Sequence, residues 1–192
     1  MIRKRRYHLE DAEAAAGRLR DALAPYCERI EIAGSIRRRR RDVGDVELLC
    51  IPRPGQTETL FGAVDSGPDK LTVAVLTMIG KGELAHRLNA RGQRVFGPKN
   101  KLLTDVASGI PLDVFSTEAR FWGMALVVRT GPADFCKAFM QRFRALGMAG
   151  HAYGGVEDAD GNLVDCPEEQ DVFDLLAWPW VRPEDRLDGS RP

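Results

Sequence analysis

The residues best suited to chemistry lie in Gly34-Ser35-Ile36-Arg37-Arg38 and, just after, Gly44-Asp45-Val46-Glu47-Leu48-Leu49. Asp45 and Glu47 stand two apart in a segment that reads as a strand, so their side chains share one face, roughly 6–7 Å apart. Val46 and Leu48 point the other way, toward a core. Neighbouring carboxylates raise each other's pKa, so the pair needs a cationic partner. A hard cation such as Mg²⁺ fits, because it takes oxygen ligands and keeps positions open for substrate phosphates. Upstream, a Gly-Ser turn and five consecutive arginines at 37–41 supply donors suited to phosphate. Metal ligands on one side of a turn and phosphate donors on the other point to phosphoryl or nucleotidyl transfer. The plainer alternative is an apolar strand beside a solvated arginine run.

A third acid extends the pattern. Residues 110–115 read as a strand whose one charge is Asp113, with Leu112 and Val114 turned away from it. A carboxylate in an apolar strand needs a neutralising partner. If this strand lies beside residues 46–51, Asp113 reaches the Asp45/Glu47 pair. Three carboxylates from two neighbouring strands can hold two metal ions about 3.5–4 Å apart, the arrangement for in-line phosphoryl displacement. Otherwise Asp113 is a strand-edge acid paired with an arginine.

Gly-Ser-x-Arg-Arg, a short spacer and Gly-Asp-x-(Asp/Glu) resemble the nucleotidyltransferases of the DNA polymerase beta superfamily, specifically the family X DNA polymerases. The C-terminal part is similar to the thumb of that family. Asp171-Val172-Phe173-Asp174-Leu175-Leu176-Ala177-Trp178 resembles its last helix, and Pro183-Glu184-Asp185-Arg186 its terminal Pro-x-Asp-Arg. The resemblance spans about residues 29–187, with 53–109 only loosely matched. It implies an α+β chain: a nucleotidyltransferase palm at 1–118, a mixed β-sheet packed with helices, then a small α/β thumb at 119–192. No counterpart of the lyase or fingers domains of larger members is expected, and no Schiff-base lyase activity.

The resemblance also assigns roles. Asp45, Glu47 and Asp113 would be catalytic and would bind two Mg²⁺ or Mn²⁺ ions. Gly34, Ser35, Arg38 and Gly44 would bind the nucleotide phosphates. Thr130-Gly131 matches the turn beneath the incoming sugar. Val128 and Arg129 replace the two aromatic residues usual before it, so ribose discrimination is in question and Arg129 becomes a phosphate ligand. On the following helix, an ungapped alignment puts Cys136 and Met140 where an Asn and an Arg usually probe the nascent base pair. Glu47 stands where Asp is more usual, and its extra methylene moves the carboxylate by about 1 Å. The implied partners are nucleoside triphosphates and a DNA primer/template or gapped DNA. Lys99, Lys101, Lys137 and Arg142 are candidates for nucleic-acid contact. Two alternatives stay open: transfer to RNA or a small-molecule acceptor, and a catalytically weak relative that holds DNA.

The elements that must position these residues follow from periodicity. Residues 8–27 read as an amphipathic helix, with Leu9, Ala12, Ala16, Leu19 and Leu23 at helical spacing. Residues 29–36 form a strand ending at the Gly34-Ser35 turn, and 46–51 a central strand closed by Pro52 and Pro54. Residues 53–69 form an irregular connection, and 71–79 a helix or buried strand. Gly80-Lys81-Gly82 faintly resembles a phosphate-holding hairpin turn. Residues 94–96 and 101–106 flank a turn at 97–100 as two strands. Thr130 is a good N-cap for a helix over 131–146, with Pro132 in its first turn. Residues 151–156 and 162–164 flank an acidic Asp-Gly hairpin turn.

Composition bounds the rest. The 192 residues fit one compact unit, and 44% hydrophobic content is ordinary for a globular chain. No apolar run approaches the ~20 residues of a membrane span. The basic N-terminus is followed by no apolar signal segment, so an intracellular, cytoplasmic protein acting as a monomer is expected. Four scattered cysteines form no Cys-x-x-Cys pair, which argues against zinc and disulfides. Net charge is zero, but residues 1–149 carry 25 Lys and Arg against 17 acids, and 150–192 carry 3 against 11. A basic body offers a surface to phosphate backbones, and the acidic tail adds nothing to it.

Overall fold

A computed structural model describes residues 5–55, 57–58, 64–65, 67–153 and 155–187. The first strand, β1 (Tyr7–His8), leads into α1 (Leu9–Leu23). This helix buries Ala12, Ala16, Leu19 and Leu23 completely, the stripe that its apolar spacing requires. Next come β2 (Cys27–Ile32), the one-turn helix α2 (Gly34–Arg37), β3 (Asp42–Val43) and β4 (Val46–Pro52). Strand β3 pairs with β1. A short antiparallel pair, β5 (Thr57–Glu58) and β6 (Val64–Asp65), falls within the connection at 53–69, of which residues 56, 59–63 and 66 lie outside the described residues.

Residues 71–79, ambiguous in sequence, belong to helix α3 (Lys70–Gly80). Asp69 caps it by accepting from the Thr72 amide at 2.7 Å. The Gly80-Lys81-Gly82 amides do not form a phosphate turn. Lys81 N donates to Thr77 O and Gly82 N to Ile79 O, closing the helix end.

Strands β7 (Leu84–His86), β8 (Asn100–Asp105) and β9 (Pro111–Ser116) complete a five-stranded sheet of order β2-β4-β9-β8-β7. Only β4 and β9 run parallel. Residues 94–96 form no regular strand, but the expected hairpin is there in part: Phe96 bridges Lys101, and Leu102 N donates to Val95 O at 2.9 Å. The later residues of β8, Leu103–Asp105, pair with β7.

One sheet face carries Val46, Leu48, Cys50, Leu112 and Val114 against α1 and α3. The other carries Leu49, Ile51 and Phe115 against helix α4 (Trp122–Thr130). Burial of both faces explains why β4 reads as a nearly unbroken apolar run. Each fully buried Leu is worth about 1.5–3 kcal/mol.

Helix α5 (Ala133–Ala145), strands β10 (Ala149–His151), β11 (Gly155–Glu157) and β12 (Leu163–Val164), and helix α6 (Glu169–Leu175) share a second core. Phe135, Phe139, Phe143 and Phe173 are at its centre. Two expectations are corrected here. Thr130 ends α4 rather than capping α5, whose N-cap is Pro132. Residues 151–156 are not one strand, because β10 and β11 are separate partners, and Gly154 lies outside the described residues.

A buried ionic network ties the two cores together. Glu169, at the start of α6, accepts two hydrogen bonds from Arg37 of α2 at 2.7–2.8 Å and one from Arg186 at 3.0 Å. Burial alone would raise the Glu169 carboxyl, but the hydrogen bonds and charge of the two arginines hold it below its usual value. Arg186 is fully buried and also donates to the Val181 carbonyl. Its guanidinium lies 5.3 and 5.4 Å from the rings of Phe135 and Phe173. Removing one member of such a network leaves charge stranded in the interior. Arg186→Met is expected to cost about 3 kcal/mol, measured as a lower midpoint in urea denaturation. An unchanged midpoint would show that the network adds nothing to stability.

Candidate active site

The acids meet through strand register. In the parallel β4–β9 pair, Glu47 stands directly opposite Asp113, and the next same-face pair is Leu49 with Phe115. Asp45 precedes β4 by one residue. The backbone therefore brings the three acids predicted from sequence to one sheet face. The cost of this juxtaposition appears on Glu47. Burial, then the charges of Asp45 and Asp113, push its carboxyl up to about 7, and Arg129 and Arg38 only partly offset them.

The donor set is all oxygen, and its mutual repulsion leaves it short of positive charge, which fits a hard divalent cation. As the side chains stand, however, no three acidic, histidine or cysteine groups among the described residues are gathered closely enough to hold one ion. Asp113 shows why: its carboxylate accepts a hydrogen bond from Arg87, just past the end of β7. Sequence gave no signal for Arg87, which lies in a stretch without strong periodicity. Only the pairing of β7 with β8, and of β8 with β9, brings it to Asp113.

Gly34 at the start of α2 approaches the Glu47 side chain so closely that a Cβ would collide with the carboxylate, and its φ of +65° is one that glycine adopts freely. The Gly34-Ser35 segment, expected as a turn, is thus the first turn of α2, pressed against the acids. Arg38, which follows α2, donates through Nη1 to the carbonyl of Thr130 and lies beside Gly131. Arg37 donates to the Thr130 hydroxyl at 2.7 Å. Of the five arginines, 37, 38 and 40 thus reach the C-terminal half, Arg40 through the Arg186 carbonyl at 2.8 Å.

These groups border a cavity of about 770 Å³. Arg38, Glu47 and residues 128–131 form one wall, and α5 contributes Cys136, Lys137 and Met140 to the other. Cys136 and Met140 therefore both line this cavity. Arg129 also lines it. Its guanidinium is stacked between the rings of Phe115 at 3.8 Å and Tyr153 at 4.4 Å. Neither aromatic partner was foreseen, since they lie 14 and 24 residues away along the chain.

Gly44 is buried just before the acids. Among the nucleic-acid candidates, Lys99 and Lys137 are exposed, and Lys137 pairs with Asp134 at 2.7 Å. Arg142 is half-buried. Lys101 is corrected: it is fully buried, donates to the Gly97 carbonyl at 3.1 Å, and its ammonium is made easier to deprotonate by desolvation. It presents no charge to a ligand.

Residues 125–187 match the family model described as DNA polymerase beta thumb. Among solved structures, a ternary P/T complex of Leishmania infantum polymerase beta superposes with a TM-score of 0.71 at 18% identity, over 96% of this chain and 77% of that one. A ternary gap complex of the same polymerase gives 0.72 at 19% identity, over 95% and 71%. The search of curated proteins gives no match. The chain has the polymerase beta fold. No helix among its described residues is long and apolar enough to cross a membrane.

Two outcomes test this description. Glu47 ionises near its ordinary 4.5 when unfolded and at about 7 when folded. Its raised folded value means that its contribution to stability is present below about 4.5 and is lost as pH rises through 7, by about 3 kcal/mol at most. In chelator, Glu47→Gln is expected to gain on the wild type in thermal melts between pH 5 and 8, and a constant gap would contradict the assignment. Lys101→Met removes a buried charge, so it should raise stability by about 1–3 kcal/mol. It should leave DNA affinity in a gel-shift titration unchanged, and a severalfold loss of affinity would restore Lys101 to the nucleic-acid surface.

Proposed function

We propose that this chain, which folds like polymerase beta over nearly its whole length, is a metal-dependent nucleotidyltransferase that extends a DNA primer. It would add a nucleoside monophosphate to a 3′-hydroxyl during gap filling or repair. The observation that carries this reading is the register match of Glu47 with Asp113 beside Asp45, with Glu47 lining a cavity that Arg38 and residues 128–131 also wall. The 3′-hydroxyl loses its proton to water, its oxygen forms a bond to the α-phosphorus, the bond from that phosphorus to the oxygen bridging to the β-phosphate breaks, and pyrophosphate leaves.

Asp45 and Glu47 are assigned the metal on the triphosphate, and Asp113 joins them at the metal beside the 3′-hydroxyl. Two Mg²⁺ or Mn²⁺ ions there would supply charge stabilisation and a lowered pKa for that hydroxyl. The chain's own groups do the positioning. Arg38, Ser35 and the amides around Gly34 are assigned the β- and γ-phosphates, with the cavity excluding water around them. Thr130 and Gly131 form the floor beneath the sugar. Val128, with no aromatic bulk, leaves room for a 2′-hydroxyl, so the transferred unit is a dNMP or an NMP. Lys99, Lys137 and Arg142 remain candidates for the DNA backbone.

A second reading rests on the Arg87–Asp113 ion pair. If Arg87 never releases Asp113, the chain holds gapped DNA without turnover. Primer extension decides between the two. With Mg²⁺ or Mn²⁺ and a recessed or gapped primer, Asp45→Asn and Asp113→Asn are each expected to lose at least a hundredfold in rate, a transition-state loss of about 3 kcal/mol. Full activity in either variant removes the mechanism. Salt-sensitive DNA binding with no incorporation under either metal supports the second reading. Chelated and Mg²⁺-loaded protein compared in thermal melts give an independent readout, since the ions should stabilise the wild type more than Asp45→Asn.

A further inference from the structure

We propose that a second cavity, at the opposite end of the sheet, binds a primary ammonium group carried on a short alkyl chain. The cavity has a volume of about 380 Å³ and lies past the C-terminal ends of β4 and β9. Strand β4 spans seven residues, and the cavity's lining residues Ile51 and Ser116 lie four and three residues beyond Glu47 and Asp113, about 10–13 Å along the strands. It shares no lining residue with the catalytic cavity, and the proposal does not depend on how that one is read.

Two observations carry it. Ser116 and Thr117 line the cavity with only 7% and 8% of their surface exposed, and their hydroxyl oxygens have no hydrogen-bond partner among the described residues. Their backbone amides are already used, by Lys99 O and Cys50 O. Buried hydroxyls without partners are uncommon, and these two border a space that a ligand can fill. The second observation is charge. Glu28, Asp69 and Glu118 line the cavity against one ammonium, Lys99. The Asp69 carboxylate also accepts from the amide and hydroxyl of Thr72 at 2.7 and 2.8 Å.

This combination selects the ligand. The excess of carboxylates disfavours phosphate or any other anion. A chelated metal does not suit the site, because no three of its acids are gathered around one point among the described residues. An ammonium has three donors and no acceptor, which complements carboxylates and hydroxyl lone pairs spread over a cavity wall. The apolar surfaces of Ile51, Pro98 and Tyr153 suit a methylene chain. The same chemistry is offered by a free diamine and by the lysine side chain of a basic peptide.

Isothermal titration of the full chain with 1,4-diaminobutane at low salt should show one saturable site. The Ser116→Ala/Thr117→Val double variant and Glu118→Gln should each weaken it about tenfold. The double variant should melt no lower than the wild type, since it removes groups that bond to nothing in the protein. The source is distinguished by a lysine-containing peptide with blocked ends and the same peptide with its lysine acetylated. Tighter binding of the unmodified peptide than of the diamine identifies a protein side chain, and the reverse identifies a free amine. The proposal is overturned by the absence of saturable binding to either probe, or by binding that survives the double variant. Loss of the diamine signal in Asp45→Asn also overturns it, because the amine would then sit on the catalytic acids.

Discussion

Repulsion among three acids held side by side is the constraint from which the molecule's organisation follows. The parallel β4–β9 register leaves Glu47 and Asp113 no way to separate without breaking the sheet. Every cation near them compensates for that. Arg87 takes Asp113, Arg129 and Arg38 temper Glu47, and the sandwich of Phe115 and Tyr153 keeps Arg129 near Glu47. These cations offset the repulsion only in part, since the Glu47 carboxyl stays raised to about 7.

The sheet bears the cost because it is buried on both faces. Helices α1 and α3 close one side and α4 the other, so the register is fixed by apolar side chains rather than by the acids. A slip of one residue would turn Leu48 and Val114 out of the core and Glu47 into it. The register and the placement of the acids are therefore set by different residues of the same two strands.

Much of this could be read from the chain. The Gly-Ser-x-Arg-Arg and Gly-Asp-x-Glu segments, the lone acid in residues 110–115 and the apolar run of β4 carry their meaning in local spacing. So does the stripe of α1. What could not be read depends on pairs far apart in sequence. Arg87 meets Asp113 across 26 residues and Arg37 meets Glu169 across 132. Lys101 seemed an exposed hairpin lysine, but it stands between Phe96, which bridges to it, and Val114 of β9, and its side chain is fully buried. Thr130 looked like a cap because Thr followed by Gly-Pro suits a helix start, yet the apolar residues before it already form α4.

The Arg37–Glu169–Arg186 network has a further consequence for how this architecture can be recombined. Arg37, the last residue of α2, is fastened to Glu169 at the start of α6. The sequence boundary near residue 118 is therefore not a mechanical one, because α2 travels with α6. A chimera that grafts the C-terminal half of a relative onto this N-terminal half would leave the Arg37 guanidinium without its carboxylate unless the donor supplied an acid at the same place. Exchange between relatives thus has to treat positions 37, 169 and 186 as one inherited unit.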